Sequence, residues 1–206
     1  IGPNAGRVSQ ASLSVAIGSN AGQDSQQTNS IAIGTSAGRY QQSLKSVAIG
    51  STAGDSAQGG VSVAIGNQAA KTGQGEQSVA IGNQTAQDSQ GASSVAIGYW
   101  AAKTSQGTES IAIGYTAGQT SQGAESVAIG RAGITLQGVN SVAMGYHSGQ
   151  RHQGTLSVAM GWQSARDSQG TSAIAIGTNS GRTSQGASSV AIGNLAGRST
   201  QGTSAI

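Results

Sequence analysis

His147 and His152 are the two imidazoles of the chain, and the acids nearest to them in sequence are Glu125 and Asp167. A zinc centre needs three or four clustered ligands, and a Ser-His-Asp relay needs its members within hydrogen-bond reach of one another. Neither can be assembled from these positions. Cysteine is absent, which removes disulfides, thiolate nucleophiles and cysteine-bound metals together. Serine is abundant, but at turns and strand flanks. Calcium-binding β-roll repeats carry Gly-Gly-x-Gly-x-Asp in every coil, and no such stretch occurs here. The chain is read as a non-enzyme, with no catalytic residue, metal or cofactor.

The residues that can do chemistry are arranged in columns. The stretch Ser94-Val95-Ala96-Ile97-Gly98 returns along the whole chain, its valine position recurring at Val15, Ile31, Val47, Val63, Val79, Val95, Ile111, Val127, Val142, Val158, Ile174, Val190 and Ile206. The step is 16 residues, with one step of 15 between Val127 and Val142. A period this short marks stacked coils, so residues one period apart become neighbours. In the fifth position of the coil, Tyr99, Tyr115, Arg131, Tyr146 and Trp162 follow one another, with Trp100 beside them. An aromatic ladder holding an arginine stacks on sugar rings or holds a cation, which makes these six residues a candidate glycan-binding stripe. The same ladder also serves to stabilise cross-strand neighbours or to pack on an adjoining protomer.

Charge forms a second column at the ninth position: Arg7, Arg39, Asp55, Lys71, Lys103, Arg166, Arg182 and Arg198. Arg39, Asp55 and Lys71 alternate in sign, as do Arg151 and Asp167 one position later, and these read as ladder salt bridges of modest value. Arg166, Arg182 and Arg198 do not alternate. They repel one another unless an anionic polymer lies along them, or they form a solvated basic ridge that discourages lateral aggregation.

These columns need a scaffold that repeats every 16 residues. Within the coil Ile111 to Ser126, the first and third positions are large aliphatics, the second is Ala and the fourth is Gly, which is the alternation of a strand. Sixteen residues are too few for strand, crossover helix and return, so each coil is two short strands joined by tight turns, parallel to their counterparts in adjacent coils. The fold class is all-β, a parallel β-roll or β-solenoid. Gly114, Gly118, Gly123 and their equivalents mark the corners, with Ala70, Ala86, Ala102 and Ala165 replacing glycine at the second. The twelfth position is Gln in every coil, either as an amide ladder along the axis or as a partner for turn backbone within its own coil.

Two aliphatics per coil make a thin core. Val and Ile are expected to form it, leaving the line Ala16, Ala32, Ala48, Ala64, Ala80, Ala96, Ala112 and Ala128 as a flat outer face that packs against copies of the same chain. Residues 1–206 read as one continuous array, cut mid-coil at both ends.

Ser-Val-Ala-Ile-Gly, with a small residue three positions after its glycine, resembles the head repeat of trimeric autotransporter adhesins (the YadA-like head) and related phage and giant-virus fibre repeats. The resemblance implies a left-handed roll, a homotrimer and a role in surface attachment. Handedness and trimer number come from it alone. The coil here is longer than the adhesin repeat, with the Gln-Gly turn as the addition.

The function expected is a structural and adhesive surface fibre segment that projects or forms a binding surface for glycans. An extracellular filament polymerising end to end is the alternative. An ice-binding solenoid fits less well, because Asp88, Arg151 and Asp167 interrupt the column of Thr72, Thr104, Thr120, Thr135 and Thr183. Expected partners are further copies of the chain and a cell-surface glycan or anionic polymer. With 10 basic and 7 acidic residues the net charge of +3 is too small to suggest specific nucleic-acid binding. No apolar run approaches the roughly 20 residues of a membrane span. The expected location is extracellular, on a cell surface or a virion fibre.

Overall fold

The computed structural model describes residues 1–206. It is an all-β parallel solenoid of about twelve coils, each contributing two short strands, and it contains no helix. The chain forms two compact units, Ile1–Ser105 and Gln106–Ile206.

In the first unit the strands Val15–Ile17, Ile31–Ile33, Val47–Ile49, Val63–Ile65, Val79–Ile81 and Val95–Ile97 pair in that order as one parallel sheet. A second parallel sheet runs through Asp24–Gln26, Tyr40–Gln42, Ser56–Gln58, Thr72–Gln74 and Asp88–Gln90. The second unit repeats the plan, from Ile111–Ile113 to Val190–Ile192 in one sheet and from Thr120–Gln122 to Ser199–Gln201 in the other. Equivalent residues of successive coils pair directly, so Ala sits beside Ala and Gln beside Gln. The columns read from the period are therefore physical neighbours within each unit.

The expected sidedness is reversed. Ala32, Ala48, Ala64, Ala80, Ala96, Ala112 and Ala128 have 0% exposure and Ala16 has 7%, so the alanine line faces the inside of the coil. None of the Val, Ile or Met residues flanking those alanines is buried. The reason is the space inside the coil. Two three-residue strands closed by tight turns lie too close together for facing aliphatics, and the interior is filled by Ala, Ser, Gly, an occasional Thr and the twelfth-position Gln. The largest fully buried side chains are Gln26, Gln42, Gln58 and Thr85.

Each glutamine ties its own coil together. Gln26 Nε2 donates to the Val15 carbonyl at 2.8 Å and lies 3.4 Å from that of Ser30, and the pattern recurs at Gln42, Gln122, Gln153 and Gln185. Of the two readings of this column, the intracoil one holds, with a single amide-to-amide contact from Gln169 Nε2 to Gln185 Oε1 at 3.3 Å. At the end of the coil a buried serine closes the turn, as where Ser126 Oγ donates to the Gly123 carbonyl at 2.6 Å. Replacing Gln122 by Leu keeps the volume but leaves the Ile111 carbonyl without this donor. A loss of about 2 kcal/mol is expected, which in a chain of this size lowers the melting temperature by about 4–8 °C.

Candidate functional site

The fourth residue of each coil turns the chain at the end of the first strand, and the fifth emerges on the outer edge just beyond it. Only glycine fits the corner. Gly98, for example, has φ +130°, and equivalent glycines have φ values from +97° to +136°. The glycine recurs in every coil, with the strand running on through Gly130 and Gly145, so the side chains that follow it line up.

In the first unit Tyr99 and Trp100 lie against each other, ring centroids 4.7 Å apart and planes 27° from parallel. Trp100 Nε1 donates to Gln84 Oε1 at 2.6 Å, one coil away, and Lys103 Nζ sits 4.5 Å from the Trp100 ring centroid. This edge also carries Arg39, whose guanidinium lies 4.4 Å from the Tyr40 ring centroid and grips Asp55 through Nε at 2.9 Å and Nη2 at 3.0 Å. The alternation of Arg39 and Asp55 thus forms the ladder pair read from the sequence.

The second unit brings Tyr115, Arg131, Tyr146 and Trp162 into one stripe. Arg131 Cζ is 5.5 Å from the Tyr115 centroid and 5.7 Å from that of Tyr146. Tyr146 and Trp162 are within 10° of parallel at 6.4 Å. Tyr115, Tyr146 and Trp162 are each about half exposed. His147, which sequence reading considered only as a catalytic or metal-binding group, belongs to this stripe, its ring stacked on Tyr146 at 4.1 Å. Its adjacency to Tyr146 was the available signal.

The short coil explains the register of Arg131. Loss of one residue after the first corner straightens the chain, and the strand runs on to five residues, Val127–Arg131, paired with the equally long Val142–Tyr146. Gly130 then pairs with Gly145 and Arg131 with Tyr146, while the Arg131 carbonyl accepts from His147 N at 2.8 Å. The deletion places a guanidinium in strict ladder register with an aromatic ring.

Burial first, then the positive charges of Arg131 and Arg166, holds the His147 imidazole below its ordinary value of 6.5. A base depressed in the folded state is protonated first in the unfolded chain. Its contribution to stability is complete above about pH 6.5 and is lost as pH falls through the lowered folded value. Thermal melts at about pH 7.5 and about pH 5 should show a decrease on acidification that is smaller in His147→Gln.

Asp167 is shared by two arginines, with Arg166 Nε at 3.0 Å and Arg151 Nη1 at 3.6 Å. Neither Arg182 nor Arg198 has an acidic partner. No three His, Asp or Glu side chains come together in a metal-binding arrangement. No helix is long and apolar enough to cross a membrane.

The architecture is that of a repeat solenoid which presents side-chain columns along its outer edges. Residues 105–132 match the YadA head domain repeat, in two copies. This confirms the resemblance carried by the Ser-Val-Ala-Ile-Gly stretch, since the match includes Ser110-Ile111-Ala112-Ile113-Gly114. No curated protein matches the chain.

Proposed function

We propose that this chain is a segment of a homotrimeric, extracellular surface fibre of the adhesin type, and that its aromatic stripes contact glycans. The observation that carries the assembly is the face of Val, Ile and Met that no coil buries. Within the first unit it includes Val47, Ile49, Val63, Ile65, Val79 and Ile81, two residues from each coil in unbroken register. A continuous apolar strip of this kind is rare on a monomeric surface and is the usual mark of an interface. The YadA head repeat match supports three copies as the occupant. The interface in this reading is the Val/Ile face, in place of the buried alanines.

With large side chains between protomers and small ones within them, each coil adds an apolar layer to the assembly while its own interior is held by glutamine and serine hydrogen bonds. In this reading the assembly carries the outward-facing stripes of each unit at a distance from a surface. Sedimentation of the purified chain over a range of concentrations tests this. Three times 20.0 kDa, about 60 kDa, is the expected mass, and a constant 20.0 kDa refutes the assembly.

A further inference from the structure

The outer edge of the second unit combines three observations. First, Arg131 lies between two half-exposed tyrosine rings, has no carboxylate partner, and leaves its buried Nε without a hydrogen-bond partner. Secondly, the same edge is cationic beyond Arg131. The ninth position borders the aromatic edge within a coil, as where Lys103 Nζ sits 4.5 Å from the Trp100 ring centroid. Arg182 and Arg198 continue the ninth column through the next two coils, and Arg182 Nε also lacks a partner. Asp167 is the acid on this edge, and it is engaged by Arg151 and Arg166. Thirdly, Glu109 and Glu125 occupy the turn before the next first strand, where Glu125 accepts from Asn140 Nδ2 at 2.9 Å. The acids are thus set apart from the stripe.

We infer that this edge, with Arg131, Tyr146, Trp162, Arg166 and Arg182 as its contact residues, selects acidic polysaccharides carrying carboxylate or sulfate groups. The inference rests on the glycan reading above and gives it a chemical class. Sugar rings stack on Tyr146 and Trp162, whose planes are nearly parallel. Carboxylate or sulfate oxygens meet the guanidinium groups, which hold such oxygens in a fork. Successive coils advance by about 4.8 Å, so an extended polymer lying along the edge meets a new contact at each coil. Arg182 and Arg198, one coil apart and without an acidic partner, repel each other, and a polyanion removes that repulsion while a neutral glycan does not.

The test uses the purified chain with fluorescein-labelled heparin, alginate, neutral dextran and polyglutamate, measuring fluorescence anisotropy at low and high salt. Heparin and alginate should bind at least about tenfold more tightly than dextran, with affinity falling as salt rises. Arg131→Gln and Trp162→Ala should each weaken heparin binding about five- to tenfold, and Arg131→Lys less than Arg131→Gln. Circular dichroism and sedimentation of the variants verify that the fold and mass are unchanged. Dextran binding as tightly as heparin, with Arg131→Gln unaffected, overturns the acidic selectivity and leaves the glycan reading in place. Failure of every polysaccharide to bind overturns both. Polyglutamate matching heparin, with Tyr146→Ala and Trp162→Ala without effect, overturns the inference in favour of a plain basic ridge.

Discussion

Gly34→Ala is expected to destabilise the first unit by more than about 4 kcal/mol, at the extreme of single substitutions. Gly34 has φ +128°, a conformation that L side chains rarely adopt, and a Cβ built on it stands 2.5 Å from the Gly50 carbonyl oxygen and 2.7 Å from its carbon. Both obstacles are backbone. Neither coil can withdraw, because Gly34 N donates to the Ile17 carbonyl at 2.7 Å and Gly50 N to that of Ile33 at 2.8 Å. Gly38→Ala is the instructive comparison. Gly38 has φ +51°, and its added Cβ meets the end of the Gln42 side chain at 2.7 Å. That end is side chain and can shift by a few tenths of an ångström while its donor stays in place, and the chain shows the outcome at Ala70 and Ala86, where φ is +45° and Gln74 and Gln90 still donate to the Val63 and Val79 carbonyls at 2.9 Å. In those coils the glutamine amide oxygens of Gln74 and Gln90 accept from Ser62 Oγ at 3.2 Å and Ser78 Oγ at 3.4 Å. Gly38→Ala should therefore cost about 1 kcal/mol. Chemical denaturation of the two variants beside the parent chain checks the contrast, and similar midpoints for both would refute it.

The double variant Ile65→Lys/Ile81→Lys is expected to convert the proposed assembly to a folded chain of 20.0 kDa. Ile65 and Ile81 are adjacent on the outward face, directly paired in neighbouring strands. In the free chain, lysine at either position keeps its ammonium in water. In the assembly each copy would bring two charges into an apolar contact, at a cost of at least about 3 kcal/mol per protomer, enough to weaken association by more than about 100-fold. Sedimentation reads the mass, and circular dichroism shows that the coils persist. Ala64→Lys/Ala80→Lys gives the opposite signature. Those alanines have 0% exposure inside the coil, so the lysines unfold the strands they belong to. Loss of mass without loss of β structure in the alanine variant, with no change in the isoleucine variant, would return the interface to the alanine line.

The sidedness of the strand was not legible because both of its faces are apolar. Alternation of Val, Ala and Ile says that two faces exist, and hydrophobicity assigns the larger residues to the core. That rule fails where the interior is too narrow for them. The glutamine column shows the same limit. Its recurrence at every twelfth position marked it as structural, but only the short distance across the coil decided that Gln42 reaches the Ile31 carbonyl instead of its neighbour's amide. Arg131 and its aromatic neighbours were legible as a column, and His147 could have been added to it from its place beside Tyr146, the coil position that Trp100 holds beside Tyr99. Both rings stack on their neighbours from a left-handed backbone, φ +57° at Trp100 and +55° at His147.

By itself, the sequence determined the period, the parallel pairing of like with like, the glycine corners and the position of the outer stripe, because each depends on spacing and backbone geometry that repeat coil after coil. The tertiary structure decided which face is inside, how the glutamines are satisfied, and how the shortened coil extends its strand to set Arg131 against Tyr146. These depend on the distance between the two sheets and on the path of a single turn, quantities that arise only when the coil closes.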